Sequence, residues 1–410
     1  MKKFAALLGV FASLSFGSMI GIDALGEEQV MGGTASAAGR GFSGNAKTGD
    51  SEGLSVVNPA RLAFDKNVVF NLNFALEMDA ASKSGHHMLT NGMSIPSFNI
   101  SFPMGDFGAM GVSLWQHYSS NLNEKASGSD AAKIEYQGSV YELVPTYAIR
   151  IPYLRSVSLG AAAHVVLGNI SRSLTLGPDN SAVTEEDEWG TRHTKVSDFV
   201  DGTWEIKNHP AYYAAALQYR GRQVSYFFSY TTGYTLKNDL DYDFRYSEID
   251  TLVPTSYSRE IKVPAMFATG ISYRLFKRHN IMLDLQWRAW DEDIENIAGS
   301  WTMPNYTETQ SDFMASVGYQ LDGVPLFYED YWKRINYRVG AWYKNWYVKD
   351  VYEVGGSVGA GFPMGRKGTT VDLALQGGKR FSDAKTEWEE SFFAIRIGLT
   401  GIGTWGQSRR

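Results

Sequence analysis

Hydrophobic and polar residues alternate with a period of two over much of the chain. Between residues 67 and 78 one face carries only apolar side chains, namely Val68, Phe70, Leu72, Phe74 and Leu76, and the other carries Asn71, Asn73 and Ala75. The same alternation recurs at 108–116, 141–151, 157–167 and 279–287. Because successive side chains of a strand point to opposite sides, this pattern predicts strands with one apolar and one polar face.

About fourteen such segments are long enough to cross a bilayer at a tilt. Their predicted starts lie near residues 67, 94, 107, 141, 157, 210, 223, 263, 279, 312, 336, 351, 370 and 391. Tight and long connections alternate between them, as in barrels with short periplasmic turns and long outer loops. One longer connection, 321–335, falls on the predicted periplasmic side. The pattern predicts an all-β fold, a transmembrane antiparallel β-barrel of about 14 strands.

The N-terminus has the features of an export signal. Lys2 and Lys3 precede an apolar stretch, Phe4–Phe16, that suits a signal peptide and is too short to span a bilayer. The small residues Ser15 and Gly17 favour a cleavage site directly after Gly17, so residues 1–17 are predicted as the signal peptide, with weaker alternative sites between Ser18 and Gly26. The alternative, a buried N-terminal strand or helix, is disfavoured by the two lysines. No later apolar stretch is long enough for a membrane-spanning helix.

Composition narrows the class of protein further. The formal charge of −6 provides no basic surface for nucleic acid, and cysteine is absent. Aromatic residues make up 14% of the chain, which fits the aromatic girdles of a membrane barrel, although a carbohydrate-binding sandwich could be equally aromatic. These observations favour one large barrel domain, residues 67–410, in the bacterial outer membrane.

Motifs of enzymes and metal sites are absent from the sequence. There is no G-x-S-x-G, no H-E-x-x-H and no pair of metal ligands at usable spacing. His86–His87 and the acidic runs at 185–188 and 291–295 are more simply solvated loops than metal sites, although the acidic runs could hold cations near lipopolysaccharide. We therefore expect no enzymatic activity, no cofactor and no structural metal.

The segment before the first strand, residues 18–66, has a different composition. Residues 38–44 are rich in glycine, and Val57-Asn58-Pro59-Ala60 predicts a rigid turn, since proline fixes its own φ and restricts the residue before it. From composition alone this segment is either a small plug inside the lumen or a disordered leader.

These two motifs resemble the N-terminal hatch of the FadL/TodX family of outer-membrane transporters for hydrophobic compounds. Val263–Tyr273, Tyr337–Tyr343 and Ile395–Thr400 are similar to other strands of that family. The resemblance implies a hatch at 18–66 inside the barrel, near a kinked third strand, here Phe107–Ser119. It implies that the hatch and gating residues are Gly39, Arg40, Gly41, Asn58, Pro59 and Ala60. It further implies passive uptake of a hydrophobic compound, in the first instance a long-chain fatty acid, with lateral release through the wall.

Inward-facing arginines could hold an anionic head group, because a guanidinium binds a carboxylate bidentately. Strand parity places five arginines on the inner face: Arg150, Arg220, Arg288, Arg338 and Arg396. The alternative is that these arginines pair with inward acids such as Glu142, Asp284 and Asp372 and simply fill the barrel.

The long outer connections 172–209 and 235–262 are polar, whereas a lipid-binding groove should be apolar. This departure supports an alternative function, a barrel with the FadL fold that acts as a scaffold for protein partners, as in the PorV-type components of type IX secretion. The expected partners are therefore a hydrophobic small molecule such as a fatty acid, outer-membrane lipid and lipopolysaccharide, or a protein bound at the outer loops.

Overall fold

The computed structural model describes most of the chain after residue 24. The described residues are 25–31, 33–49, 53–83, 86–119, 122–126, 132–176, 183–186, 192–195, 199–206, 208–246, 249–290, 294–295, 306–326, 328–364, 369–382 and 389–403. The predicted signal peptide lies outside them. Within these ranges, no helix is both long enough and apolar enough to cross a membrane.

Fourteen antiparallel strands form a closed barrel. The first seven are β1 (Val68–Lys83), β2 (His86–Pro103), β3 (Ala109–Ser119), β4 (Ala132–Ile151), β5 (Leu154–Leu176), β6 (Ala211–Arg220) and β7 (Val224–Thr231). The others are β8 (Met266–Arg274), β9 (His279–Arg288), β10 (Asp312–Leu321), β11 (Asn336–Asn345), β12 (Val351–Met364), β13 (Thr369–Ser382) and β14 (Glu389–Gly403). Each strand pairs with the next, and β1 closes the barrel on β14, with Val68 opposite Gly403.

The predicted all-β fold and strand count are confirmed, but two strands begin earlier than expected. β2 begins at His86 rather than near 94, and β4 begins at Ala132 rather than near 141. These additional residues lie at the outer end of the barrel. Strands that rise above the bilayer need no apolar face, since water surrounds them, so the alternation that marks the membrane band is lost there.

The wall alternates in burial as the sequence pattern predicts. Along β6 every second residue from Tyr212 to Gln218 is buried, while the residues between them are exposed. The exposed residues of the wall are mainly large and apolar, for example Leu76, Met78, Leu217, Phe228 and Leu283. An apolar outer surface around a polar interior is the arrangement of an outer-membrane barrel.

The sheet continues above the barrel at its outer end. The predicted loops 172–209 and 235–262 contain strands instead, namely Phe199–Ile206, Tyr234–Tyr246 and Ile249–Val263. Phe199–Ile206 pairs with β5 on one side and with Tyr234–Tyr246 on the other. The remaining outer strands are Leu122–Ala126, which pairs with β4, the hairpin of Val183–Glu186 and Arg192–Lys195, and the short pair Ile294–Glu295 and Tyr306–Thr307.

The opposite end carries short turns and both ends of the barrel sequence, which identifies it as the periplasmic end. A short 3-10 helix, Gly105–Phe107, lies in the turn between β2 and β3. The longest connection at this end joins β10 and β11. It holds a four-residue helix, α2 (Tyr331–Arg334), whose residues are not buried.

The described residues from 25 to 65 lie inside the barrel. They include a two-residue N-terminal strand, Glu27–Glu28, a helix α1 (Ala35–Ala38) capped by the Thr34 side chain, and a 3-10 helix, Pro59–Phe64. Most of the described residues between 25 and 65, hereafter the plug, are buried. The plug starts near the outer end, where the backbone nitrogen of Leu25 donates to the hydroxyl of Tyr347 at 3.0 Å.

Candidate functional site: the plug and its contacts with the wall

A tight turn docks the plug against three neighbouring strands. Gly39 ends α1, and Gly41 adopts a φ of +66°, which favours glycine. A Cβ atom at Gly41 would lie 2.6 Å from the backbone nitrogen of Ala341 on β11, so the two backbones are in direct contact. The backbone nitrogen of Gly41 also donates to the hydroxyl of Ser357 on β12 at 2.9 Å.

Arg40, between these glycines, is a structural residue of the plug. It is 2% exposed, and its Nε donates to the carbonyl oxygen of Ser43 at 2.7 Å. Its Nη1 donates to Ser36 at 3.0 Å and to Gln320 on β10 at 3.2 Å. Because these donors face partners within the plug and the wall, Arg40 fixes the turn in place.

The Asn58-Pro59-Ala60 turn docks on a different part of the wall. The Asn58 side chain donates to Gln218 on β6 at 2.6 Å, and Ser158 on β5 donates to the carbonyl oxygen of Ala60 at 2.8 Å. A Cβ atom at Gly160 would lie 2.3 Å from the backbone nitrogen of Ala60. The 3-10 helix that Pro59 begins packs mainly on β4 and β5 and touches β3 as well.

The third strand separates from the second halfway along its length. The pairing of β2 with β3 begins where Pro103 lies opposite Ala109 and ends where Ser97 lies opposite Trp115. Among the described residues, the two strands do not pair beyond that point. Pro96, the next residue of β2, has no N–H to donate to a neighbouring strand. Between Pro96 and the outer end, the described residues of β2 therefore pair with β1 alone. We call this opening between β2 and β3 the seam.

The N-terminal strand adds to β3 at the seam. Glu27 and Glu28 pair with Ser119 and Tyr118, and the backbone nitrogen of Gln29 donates to the carbonyl oxygen of His117 at 2.8 Å. The plug therefore covers the edge of β3 that β2 leaves unpaired.

Two cations hold Glu28 from the far side of the lumen. Its Oε1 accepts from Arg288 on β9 at 2.5 Å, and its carbonyl oxygen accepts from Lys344 on β11 at 3.0 Å. Burial alone would raise the pKa of Glu28, but Arg288 and Lys344 hold this pKa well below its usual range. Glu28 is thus a buried, ionised carboxylate that ties the plug to two opposite parts of the wall.

His117 links this ion pair to a second buried carboxylate, Glu142 on β4. The ring nitrogens of His117 lie 3.2 Å from Glu28 and 2.5 Å from Glu142. Glu142 also contacts His164 at 2.9 Å and accepts from the hydroxyl of Tyr212 at 2.5 Å. Four strands therefore meet around one carboxylate directly below the seam.

Arg380 on β13 is the centre of a second buried cluster. Its guanidinium contacts four carboxylates at 2.8–3.0 Å: Glu27 of the plug, Glu77 and Asp79 of β1, and Glu353 of β12. Burial raises the pKa of Glu27 to about 8, because Arg380 offsets only part of the lost hydration.

Three of the five predicted head-group arginines are buried and already paired. Arg288 contacts Glu28, as described above, and the Nη1 of Arg338 lies 2.6 Å from Asp372 on β13. Arg396 donates to Gln376 at 2.7 Å, with its guanidinium 5.3 Å from the ring centre of Phe42. Among these three, Arg338 thus contacts Asp372, one of the inward acids named in the alternative, whereas Arg288 contacts the plug and Arg396 an amide oxygen.

The other two arginines, Arg150 and Arg220, occupy inward-facing positions of their strands, but both are exposed at the periplasmic end. The guanidinium of Arg220 lies 5.3 Å from the ring centre of Phe64 in the plug. The structure thus does not gather the five arginines into one site. Asp284, expected to pair with an arginine, instead accepts from the backbone and side chain of Asn45 at 2.8 and 2.9 Å.

Two cavities among the described residues are both polar. One of about 20 Å³ lies beside Arg380 and is lined by charged side chains together with the rings of Phe42, Trp342 and Phe392. The other, of about 160 Å³, lies at the periplasmic end and is lined by charged and polar side chains. Neither has the predominantly apolar lining of a pocket for a hydrophobic ligand.

The sequence analysis placed Glu142 on the inner face of its strand but did not connect it to His117 or His164. It missed Glu27, Glu28 and Arg380. Parity could have placed Arg380 inside, since it shares the face of Asp372 on β13, whereas nothing in the sequence indicates which wall residues the plug meets.

The closed fourteen-strand barrel, its apolar outer surface and its plugged interior define an outer-membrane barrel of the FadL type. Solved structures agree on the fold. A Pseudomonas aeruginosa FadL homologue superposes with a TM-score of 0.62 at 11% identity, covering 91% of this chain and 99% of that one. The Pseudomonas putida toluene transporter TodX gives 0.58 at 12% identity, covering 93% and 100%. The Ralstonia pickettii toluene transporter TbuX gives 0.57 at 13% identity, covering 92% and 99%.

The sequence model of the BamG family matches residues 18–410, so the chain belongs to the BamG family. No curated protein matches the sequence.

Proposed function

We propose that this protein is a plugged outer-membrane barrel that serves as a scaffold for protein partners at its outer end. The observation that carries the proposal is the attachment of the plug. Glu28 forms a buried ion pair with Arg288, and the carboxyl group of Glu27 contacts the guanidinium of Arg380. The turns around Arg40 and Asn58 are hydrogen-bonded to strands on both sides of the lumen.

The strength of this attachment opposes transport through the lumen. Breaking one buried ion pair so that a charge stays buried without its partner costs about 3–5 kcal/mol. Moving the N-terminal strand would break at least the ion pair of the ionised Glu28 with Arg288, together with the hydrogen bonds that strand makes to β3. Passive uptake that requires the plug to shift would therefore be slow.

The outer sheet offers a surface for a protein partner. Within the described residues, Ile249–Val263 pairs with Tyr234–Tyr246 on one side and with no other strand along its outer part. An unpaired strand edge can bind an extended segment of another protein through main-chain hydrogen bonds.

Affinity purification from native membranes tests the proposal. The full chain carries a tag, and proteins that stay bound in mild detergent are identified. Replacing residues 236–261 with a short turn should remove the partner and leave the barrel folded. Shortening the separate hairpin at 183–195 provides the matched control. Recovery of the barrel alone, from both the full chain and the control, would contradict the scaffold function.

A second candidate function is uptake of a hydrophobic compound, with a long-chain fatty acid as the first ligand to test. The observation that favours it is the seam, which provides a lateral opening in the wall next to the plug. The shared fold of hydrocarbon channels is compatible with this function. Saturable binding of a fluorescent fatty acid that disappears when the loop around Asn58 is deleted would support uptake. Absence of binding in a folded barrel would exclude it.

A further inference from the structure

A cavity at the periplasmic end of the barrel is lined by polar side chains and by charged side chains that are all positive. It has a volume of about 160 Å³ and lies between the plug and the wall. The wall supplies the turn between β6 and β7, the end of β8 and the start of β9, and the plug supplies Lys47 and Thr48. At the roughly 15 Å³ that one water needs, the space holds on the order of ten waters.

Four of the ten lining residues are basic and none is acidic: Lys47, Arg220, Arg222 and Arg274. This local excess contrasts with the formal charge of −6 for the whole chain. Lys47 has an acidic neighbour outside the lining, since its Nζ lies 3.7 Å from Asp322. In the described part of the chain, the three arginines form no ion pair.

The remainder of the lining is polar rather than apolar. Ser225, Ser272 and Asn280 are buried inward-facing side chains of β7, β8 and β9. The side chains of Arg220, Arg222 and Arg274 are exposed at the mouth of this space, where an anion can reach them. Guanidinium groups bind carboxylates through two parallel hydrogen bonds, and such charge-assisted bonds are about twice as strong as neutral ones.

We propose that this cavity binds the carboxylates of an acidic peptide segment that a partner protein presents from the periplasm. The inference rests on the proposed function in that the occupant is a protein partner. The position of the cavity favours a peptide over a lipid head group. The lining faces the lumen beside Lys47 of the plug, whereas the acyl chains of a lipid must stay outside the wall.

Fluorescence anisotropy with purified full-length protein in detergent tests the proposal. The probe is a labelled hexaglutamate peptide, and a labelled hexaglutamine peptide controls for non-specific binding. In the triple variant Arg220→Gln, Arg222→Gln and Arg274→Gln, binding of hexaglutamate should weaken at least tenfold. Binding to the unmodified protein should also weaken steeply as salt rises, because the contacts are electrostatic.

A matched variant removes three charges from the same end of the barrel outside the cavity: Lys66→Gln, Arg155→Gln and Lys277→Gln. These side chains are exposed. The matched variant should bind hexaglutamate within twofold of the unmodified protein. Equal losses in the two triple variants would overturn the proposal, since the effect would then come from net charge. A circular dichroism spectrum confirms that each variant is folded.

Competition separates a peptide site from a site for free anions. Inorganic phosphate at millimolar concentration should leave most of the peptide bound, whereas full displacement would overturn the peptide proposal.

A second experiment distinguishes the cavity proposal from the scaffold function. It measures whether the outer partner still co-purifies with the triple variant Arg220→Gln, Arg222→Gln and Arg274→Gln. If this variant loses hexaglutamate but keeps its outer partner, the cavity is confirmed independently. If hexaglutamate binds normally to every variant and the outer partner is still recovered, the cavity proposal fails and the scaffold function stands.

Discussion

The buried cluster around Arg380 leads to a quantitative prediction about stability. Replacing Arg380 with Met keeps a side chain of similar length and removes a charge that contacts four carboxyl groups at 2.8–3.0 Å and a fifth, that of Glu390, at 3.5 Å. Removing one partner of a buried ion pair costs about 3–5 kcal/mol, because the other charge stays buried without compensation. We therefore expect Arg380→Met to lower the free energy of unfolding by about 3–5 kcal/mol.

The neighbouring residue supplies the control. Lys379 lies on the outer face of the same strand, and its pair with Glu389 at 2.6 Å is exposed, with 41% of the Lys379 side chain accessible. Exposed ion pairs contribute about 0–1 kcal/mol, so Lys379→Met should change stability little.

Equilibrium unfolding in urea, in lipid vesicles, measures both variants. With a slope of about 1–3 kcal/mol per molar urea, a loss of 3 kcal/mol shifts the midpoint by at least about 1 M. The double variant Arg380→Met with Glu353→Gln should recover part of the loss, because the carboxylate that Arg380 contacts at 3.0 Å is removed together with its partner. Equal midpoints for Arg380→Met and Lys379→Met would refute the argument that this cluster fastens the plug.

Two further predictions concern the plug. Gly160→Ala should destabilise the barrel by about 1–3 kcal/mol, because the added Cβ atom would lie 2.3 Å from the backbone nitrogen of Ala60. Gly356→Ala should be close to neutral, since the atom nearest to its added Cβ lies 3.7 Å away. Thermal unfolding of the two variants tests both expectations. The pKa of Glu27 is raised from 4.5 in the unfolded chain to about 8 in the folded protein. The contribution of Glu27 to the free energy of unfolding is therefore fully present below about pH 4.5 and is lost as the pH rises through 8. Glu27→Gln should therefore flatten the loss of stability between pH 5 and 8, and an unchanged pH profile in this variant would contradict the assignment.

The alternating pattern was sufficient to predict the membrane-facing part of the wall. Alternation survives wherever one face meets lipid, so residues such as Phe74 and Leu76 were assigned to the correct side. It failed above the bilayer, where β2 and the strand Tyr234–Tyr246 extend beyond the membrane and need no apolar outer face.

The interior was less predictable than the wall. Parity placed Arg288 and Arg338 in the lumen, but their partners depend on how the plug and the far wall approach each other. Glu28 and Arg288 are separated by 260 positions in the sequence, and no local pattern links them. The glycines around Arg40 could be found, because direct backbone contact requires them.

Site-specific photo-crosslinking in native membranes tests the central claim, a sealed barrel that binds proteins at its outer end. A photoreactive amino acid at Ser258, which is exposed on the outer strand Ile249–Val263, is compared with one at Tyr213, which is exposed on the lipid-facing wall. We expect a discrete protein adduct from position 258 and none from position 213. The absence of any protein adduct from position 258, together with saturable binding of a fatty acid inside the barrel, would contradict the scaffold function and favour uptake.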